Sequence, residues 1–216
     1  MSAPGAEIAG GAGVRPGTEQ VSVRVRPAAA HEFDRVADLV ELGFRNGPYG
    51  HFPVSAERTA LVRDSAGRAA AGALLVAVDD RGLADERGAV DESGGVGDAA
   101  APVPLLGTAS LLRAGEAGSR LAQPGEIELR LIAVDPAARG RGIGEALVRT
   151  ALHVAAEMGA GAVVLDTGSL NLPAQRLYER IGFQRQHDRV PTRLGGPGSP
   201  DEIPPLVYSF PLPQHP

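Results

Sequence analysis

Apolar residues alternate with polar ones at the start of the readable pattern: Val21, Val23 and Val25 are interleaved with Ser22, Arg24 and Arg26. A period of two predicts a half-buried strand, closed by Pro27. The period then changes. Phe33, Val36, Ala37, Val40 and Phe44 fall on one face of a helix that stops before the breaker cluster Asn46-Gly47-Pro48. Ser55 is placed to cap a second helix, with Glu57 in its first turn. Ala73 to Val78 is an unbroken apolar run and predicts a buried strand, as does Leu105 to Leu112. Glu126 to Val134 reads as a long strand. A helix follows from about Gly142 to Met158, with Leu147, Ala151, Val154 and Met158 along one face and Gly159 and Gly161 as its stop. Val163 to Leu165 is a short buried strand. Asn171 to Ile181 is a helix, with Asn171 as a cap and Gly182 as terminator. Phe183 to Val190 and Leu206 to Phe210 are two last strands. The predicted order is β-α-α-β-β-β-α-β-α-β-β, and no internal repeat interrupts it.

Between these elements lie stretches without periodicity. Residues 1–20 are rich in Gly, Ala, Pro and Glu and predict a disordered tail. Residues 79–104 are acidic and glycine-rich and predict a flexible insertion between two strands, which closure entropy tolerates because its cost grows only with the logarithm of length. Residues 114–125 predict a loop. What remains, 21–212, is expected to form one domain. The 29 Gly and 18 Pro fit such segments, while a 43% hydrophobic fraction is ample for a core built of Ala, Val, Leu and Ile.

Composition removes several chemistries. There is no Cys, which excludes disulfides, thiolate catalysis and Cys-ligated zinc. All 21 basic residues are Arg. Without Lys there is no Schiff-base amine and no phosphate-loop or kinase-type lysine. The histidines show no metal-ligand spacing, so no metal is expected. His51, beside Tyr49, sits in a loop that borders a possible acceptor site, and His153 lies mid-helix. A formal net charge of −5 without a basic stripe argues against a nucleic-acid partner and suits a cationic substrate such as an amine. No leader pattern is visible, and the longest apolar stretch, Ala69 to Val78, is far short of the about 20 residues of a membrane span. A cytoplasmic protein with no membrane partner is expected.

The chemistry concentrates in one segment, Leu131-Ile132-Ala133-Val134-Asp135-Pro136-Ala137-Ala138-Arg139-Gly140-Arg141-Gly142-Ile143-Gly144-Glu145-Ala146-Leu147. A strand ends, a proline turn follows, and alternating glycines open a helix. Amides at a helix start lack intrahelical partners, the helix dipole adds partial positive charge, and glycine lets a phosphate approach the backbone. Arg139 and Arg141 add full charges. The expected ligand is a diphosphate. A Walker loop would need Lys. A dinucleotide fingerprint would need Gly where Glu145 stands, and a strand running directly into the glycines.

Arg139-x-x-Gly142-x-Gly144 after a strand ending Ala133-Val134 resembles the acetyl-CoA motif of the GNAT superfamily of acyl-CoA-dependent N-acetyltransferases. Downstream, Asn171-Leu172-Pro173-Ala174-Gln175-Arg176-Leu177-Tyr178-Glu179-Arg180-Ile181-Gly182-Phe183 resembles its second signature. The resemblance is tight over 126–183, is one of element order over 21–125, and is absent before that. It implies an α/β (α+β) fold of the GNAT type: a mixed, mostly antiparallel six- to seven-stranded sheet flanked by helices, with splayed central strands. It implies acetyl-CoA as acyl donor, with the diphosphate on the amides of Arg141, Gly142, Ile143, Gly144, Glu145 and Ala146 next to Arg139 and Gly140. The backbone of Ile132, Ala133 and Val134 would bond the pantetheine arm.

Tyr178 matches the family's tyrosine and is the expected acid for the leaving thiolate, since phenol and alkyl thiol have similar pKa values; packing within its helix is the other reading. Glu128 is the expected base, with Glu126 as substitute; both share a strand face with Arg130, so a surface ion pair is the alternative. Asn171 either bonds the pantetheine or caps its helix. The implied reaction is acetyl transfer to a primary amine of a small molecule or peptide, and a homodimer is an assembly that the resemblance allows. A non-catalytic acyl-CoA-binding module of the same fold is the competing reading. A toxin-like enzyme acting on charged tRNA is disfavoured by the acidic charge.

Overall fold

The computed structural model describes residues 23–79, 102–189 and 205–213. The expected tail at 1–20 and nearly all of the expected insertion at 79–104 lie outside them. Seven strands form one sheet: β1 (Val23–Pro27), β2 (Gly72–Asp79), β3 (Leu105–Arg113), β4 (Glu126–Val134), β5 (Ala162–Thr167), β6 (Gln184–Gln186) and β7 (Leu206–Pro211). Their spatial order is β1-β2-β3-β4-β5-β7-β6. Every neighbouring pair is antiparallel except β4 and β5. The helices are α1 (Phe33–Arg45), α2 (Ala56–Arg63), α3 (Ser65–Ala70), α4 (Ile143–Glu157) and α5 (Leu172–Ile181).

Both faces of the sheet are covered, which explains the continuous apolar run of β2. Leu75 and Ala77 face α4 and pack with Ile143, Leu147 and Ala151. Leu74, Val76 and Val78 point the other way, onto Val36 and Leu39 of α1. A strand buried on both sides has no polar alternate positions. Ser55 caps α2 as its sequence predicts, accepting from the Arg58 amide at 3.2 Å.

Three features depart from the expected pattern. First, α3 is an additional helix. Asp64 caps it through the Gly67 amide at 2.8 Å, and its Arg68 is 1% exposed. The Arg68 guanidinium donates to Ser110 Oγ, the Val62 carbonyl and Ser65 Oγ, which spreads its charge over hydrogen bonds. Burial, partly opposed by the charge of Asp64, brings its pKa down to about 10, so it remains charged at neutral pH. The segment Ser-Ala-Gly-Arg-Ala-Ala is too short and too small-sided to show a helical period. Second, the expected strand over 183–190 shrinks to β6. Phe183 turns into the core, and Arg189 turns back to pair with Glu126.

Third, β4 is not a plain period-two strand. Its register against β3 slips between Thr108–Ala133 and Ser110–Arg130, so two β4 residues oppose Ala109. Leu131 there has φ +49°, a left-handed conformation that a leucine adopts only when its surroundings enforce it. The bulge turns the pattern over. Ile127 and Leu129 face α4, whereas Leu131 and Ala133 face Val40 and Val62 on the other side. The same strand pairs with β5 only over Glu126–Glu128 against Ala162–Val164. Beyond that point the two strands part, as the splayed sheet implied by the resemblance requires.

Candidate active site

The parting of β4 from β5 leaves a cleft of about 670 Å³. Val134 and Arg139 line one end of it, next to the glycine-rich turn, whose residues 140–146 do not themselves line the cleft. Asp135 accepts from the Ala137 amide at 2.8 Å and shapes a single 3-10 turn over Pro136–Ala138. Gly140 and Gly142 follow with φ +78° and +77°, and α4 starts at Ile143. Both glycines are left-handed with open space around them, so a side chain there would project towards any bound anion. The amides of Ile143, Gly144 and Glu145 begin the helix without carbonyls behind them. The Ala146 amide is different: it donates to the Gly142 carbonyl at 3.0 Å, so the open amides end at Glu145.

The charged residues of this turn are engaged elsewhere. Arg139 donates to the carbonyls of Asn46 (2.9 Å) and Gly43 (3.0 Å), which fastens the end of α1 to the turn. Arg141 lies 3.8 Å from Asp79. Glu145 pairs with Arg149 and Arg180 on the surface.

Ile132, Ala133 and Val134 line the cleft, as do Asn171 and Tyr178. Asn171 makes no side-chain cap to α5; Pro173 already suits the first turn, which leaves the carboxamide to the cleft. Tyr178 is 6% exposed and packs against the rings of Phe183 and Tyr208. Burial, and then the negative charge of Asp166, push its phenol pKa well above the ordinary value. It holds its proton throughout the physiological range.

The two expected bases stand differently. Glu128 does not line the cleft and is fully buried. Its Oε2 accepts from Ser119 Oγ (3.0 Å) and from the amides of Arg120 (2.6 Å) and Leu121 (2.7 Å). Arg130 Nε lies 3.2 Å from its other oxygen. Glu126 is also outside the cleft, bonded to Arg189 and to the Gln123 amide. Burial raises its pKa, but the Arg189 bond and the amide outweigh this and the net shift is downward. His51 rests against the Phe52 ring and does not line the cleft, and His153 is on the exposed side of α4, 3.3 Å from Glu157.

The other end of the cleft is made by side chains that no motif announces. Tyr49, in the loop after α1, takes a 2.7 Å hydrogen bond from the Leu170 amide and straps the mouth. Arg58 of α2 lies over the Phe44 ring at 4.5 Å. Arg120 forms an ion pair with Asp166 of β5. A single acid ending the run Val163-Val164-Leu165 was the one available signal for Asp166; Arg58 and Arg120 offered none. Among the described residues, no group of His, Cys, Asp or Glu could hold a metal ion, and no helix is long and apolar enough to cross a membrane.

Splayed strands, a glycine-opened helix and the cleft between them define the architecture of acyl-CoA acyltransferases. A family model described as the acetyltransferase (GNAT) family matches residues 56–183, more than half of the chain, and the chain belongs to that family. It is 43% identical over 76 residues to a mycothiol acetyltransferase of Mycobacteroides abscessus, a match covering 35% of this chain and 26% of that protein. It is 44% identical over 59 residues to human N-acetyltransferase 8B, covering 27% and 26%. The chain thus spans about a quarter of the length of these curated relatives. Among solved structures, a GNAT-family acetyltransferase of Staphylococcus aureus superposes with TM-score 0.60 at 14% identity, covering 89% of this chain and all of that one. The ribosomal-protein-S18-alanine N-acetyltransferase of Escherichia coli gives 0.58 at 15%, covering 90% and 97%. At such identities the shared property is the fold.

Proposed function

We propose that this protein transfers an acetyl group from acetyl-CoA to a primary amine. One observation carries the reading: β4 leaves β5 to form a cleft, and Val134 of the cleft wall lies beside Gly144 at the open start of α4. The open amides there bind the diphosphate. The freed backbone of Ile132 to Val134 holds the pantetheine amides, and Asn171 adds a side-chain bond. Acetyl-CoA supplies an activated thioester. The amine nitrogen forms a bond to the acetyl carbon, the carbon–sulfur bond breaks, and Tyr178 gives its proton to the departing thiolate and at once regains one from solvent, since burial and Asp166 disfavour its phenolate.

Glu128 holds the loop over Ser119–Leu121 rather than serving as base. Its carboxylate is buried outside the cleft lining, with Oε2 committed to Ser119 Oγ and the amides of Arg120 and Leu121. The amine therefore enters the cleft uncharged and loses its proton to solvent after attack. A cytoplasmic location, where the donor is abundant, is part of this proposal. Isothermal calorimetry with acetyl-CoA, followed by thiol release with a panel of amines, tests it. Binding plus release supports it. Binding with no release for any amine favours the acyl-CoA-binding module, and no heat with any CoA species removes both.

A further inference from the structure

β4 and β5 pair no further than Glu128 and Val164, and the gap that opens beyond them is bridged by a side chain. Tyr49 stands in the loop between α1 and α2. Its hydroxyl accepts a 2.7 Å hydrogen bond from the amide of Leu170, shortly after the end of β5. Tyr49 and Gly168 both line the cleft. Their contact is close. A Cβ on Gly168 would lie 2.2 Å from the Tyr49 hydroxyl oxygen and 2.3 and 2.4 Å from two ring carbons. Not even a methyl group fits between them, so Gly168 supplies the space that the ring occupies.

Each side of this bridge is anchored to a different wall. On the β4 side, Gly43 of α1 abuts Ala133, and Arg139 holds the carbonyls of Gly43 and Asn46. The Phe52 amide donates to the Tyr49 carbonyl at 3.1 Å, which folds the loop behind the ring. On the β5 side, the Gln175 carboxamide of α5 donates to the carbonyls of Gly168 (3.2 Å) and Ser169 (2.9 Å). Tyr49 joins two supports that are each held within their own wall.

A bridged mouth narrows what can enter. The acceptor nitrogen has to reach an acetyl carbon inside the cleft, which Tyr178 also lines. An amine on an unbranched chain passes beside the ring. A branched group, or an amine on the surface of a folded protein, meets the bridge first. Discrimination by shape is steep enough to matter, since one methylene too many or too few changes kcat/KM about 10- to 200-fold in a fitted pocket. Resting on the acetyl transfer proposed above, we infer that Tyr49 is a specificity-determining residue. By bridging the mouth to the loop after β5, it restricts the acceptor to primary amines on slender, unbranched chains.

The test compares n-hexylamine with its isomer 3,3-dimethylbutylamine by thiol release with acetyl-CoA. The isomer branches away from the nitrogen, so the two amines are equally nucleophilic. Wild type should show at least about tenfold higher kcat/KM with the straight amine. Tyr49→Ala, which removes the ring, and Gly168→Ala, which pushes it aside, should each bring that ratio near one. Hydrogen exchange reads the bridge without turnover. Leu170 is an exposed loop residue, yet its amide should exchange at least about tenfold more slowly in wild type than in Tyr49→Phe, with Leu165 of β5 unchanged. The wild-type ratio and the wild-type exchange rate decide the matter even where a variant fails to fold. Exchange of the wild-type Leu170 amide at the rate of a free amide, equal turnover of the two amines, an unchanged ratio in both variants, or turnover of other amines but not of n-hexylamine overturns the inference while acetyl transfer stands. Absence of acetyl-CoA binding, or binding with no thiol release for any amine, overturns the underlying reading instead.

Discussion

The two ends of the cleft are built in opposite ways. At the proposed cofactor end the groups on offer are main-chain ones, and the residues that present them lie close together between Ile132 and Glu145. At the opposite end the cleft is lined by side chains contributed by α2, the β3–β4 loop, β4 and β5. The first is a local solution: a strand, a tight turn and a helix start suffice. The second depends on long-range packing, including Arg68 locking α3 to β3 and Glu128 gathering the loop that carries Arg120. A backbone site needs glycines, so it leaves a signature. A side-chain site needs only that the chain bring its parts together, and any residue pattern that does so will serve.

This contrast can be broken at several points. The largest effect is expected at Glu128. Glu128→Ala leaves the Ser119 hydroxyl, the Arg120 and Leu121 amides and Arg130 buried without their acceptor and should cost about 3–5 kcal/mol by urea denaturation. Glu126→Ala, at a partly exposed pair, should cost under about 1 kcal/mol. If Glu128→Gln kept full stability but lost activity with a changed pH profile, Glu128 would be the base after all. Next, Tyr178→Phe should lower kcat about 100-fold with the acetyl-CoA Kd unchanged. A weakened Kd with normal kcat would make the tyrosine a packing residue.

At the cofactor end, Gly142→Val should raise the acetyl-CoA Kd about 30-fold by calorimetry, near 2 kcal/mol, because valine resists φ +77° and places methyl groups on the cradle. An unchanged Kd would move the diphosphate elsewhere. The smallest effect lies far from the cleft. Glu32 is held below the usual carboxylate pKa, chiefly by its hydrogen-bonded pair with Arg26 and against the opposing effect of burial. A depressed folded pKa means stability that is full above the unfolded value and lost as pH falls through the folded one. Wild type should exceed Glu32→Gln by about 1 kcal/mol at neutral pH, and the gap should close near pH 3. A constant gap would mean that its charge contributes nothing.

Much of the fold was legible because its signals are local. Val36 and Val40 mark the buried face of α1, Gly182 ends α5 with φ +112°, and the apolar run of β2 marks a strand covered on both sides. The bulge at Leu131 was not legible. A leucine carries no preference for φ +49°, and the slip in register is imposed by β3 and by the packing of Val40 and Val62. The reading of Glu128 as a base followed from strand alternation and resemblance. Its hydrogen bonds come from Ser119 to Leu121, whose loop shows no pattern that places it over β4.

By itself the sequence determined the order of the elements apart from α3, the glycine-rich start of α4 and the tyrosine of α5, because backbone conformation and helix periodicity are set by neighbours along the chain. Only the tertiary structure decided that Arg139 fastens α1, that Glu128 is buried against the loop over Ser119–Leu121, and that Arg58, Arg120 and Arg130 line one cleft. Those outcomes depend on charge and burial between residues far apart in the chain, and such distances are settled only when the sheet is assembled.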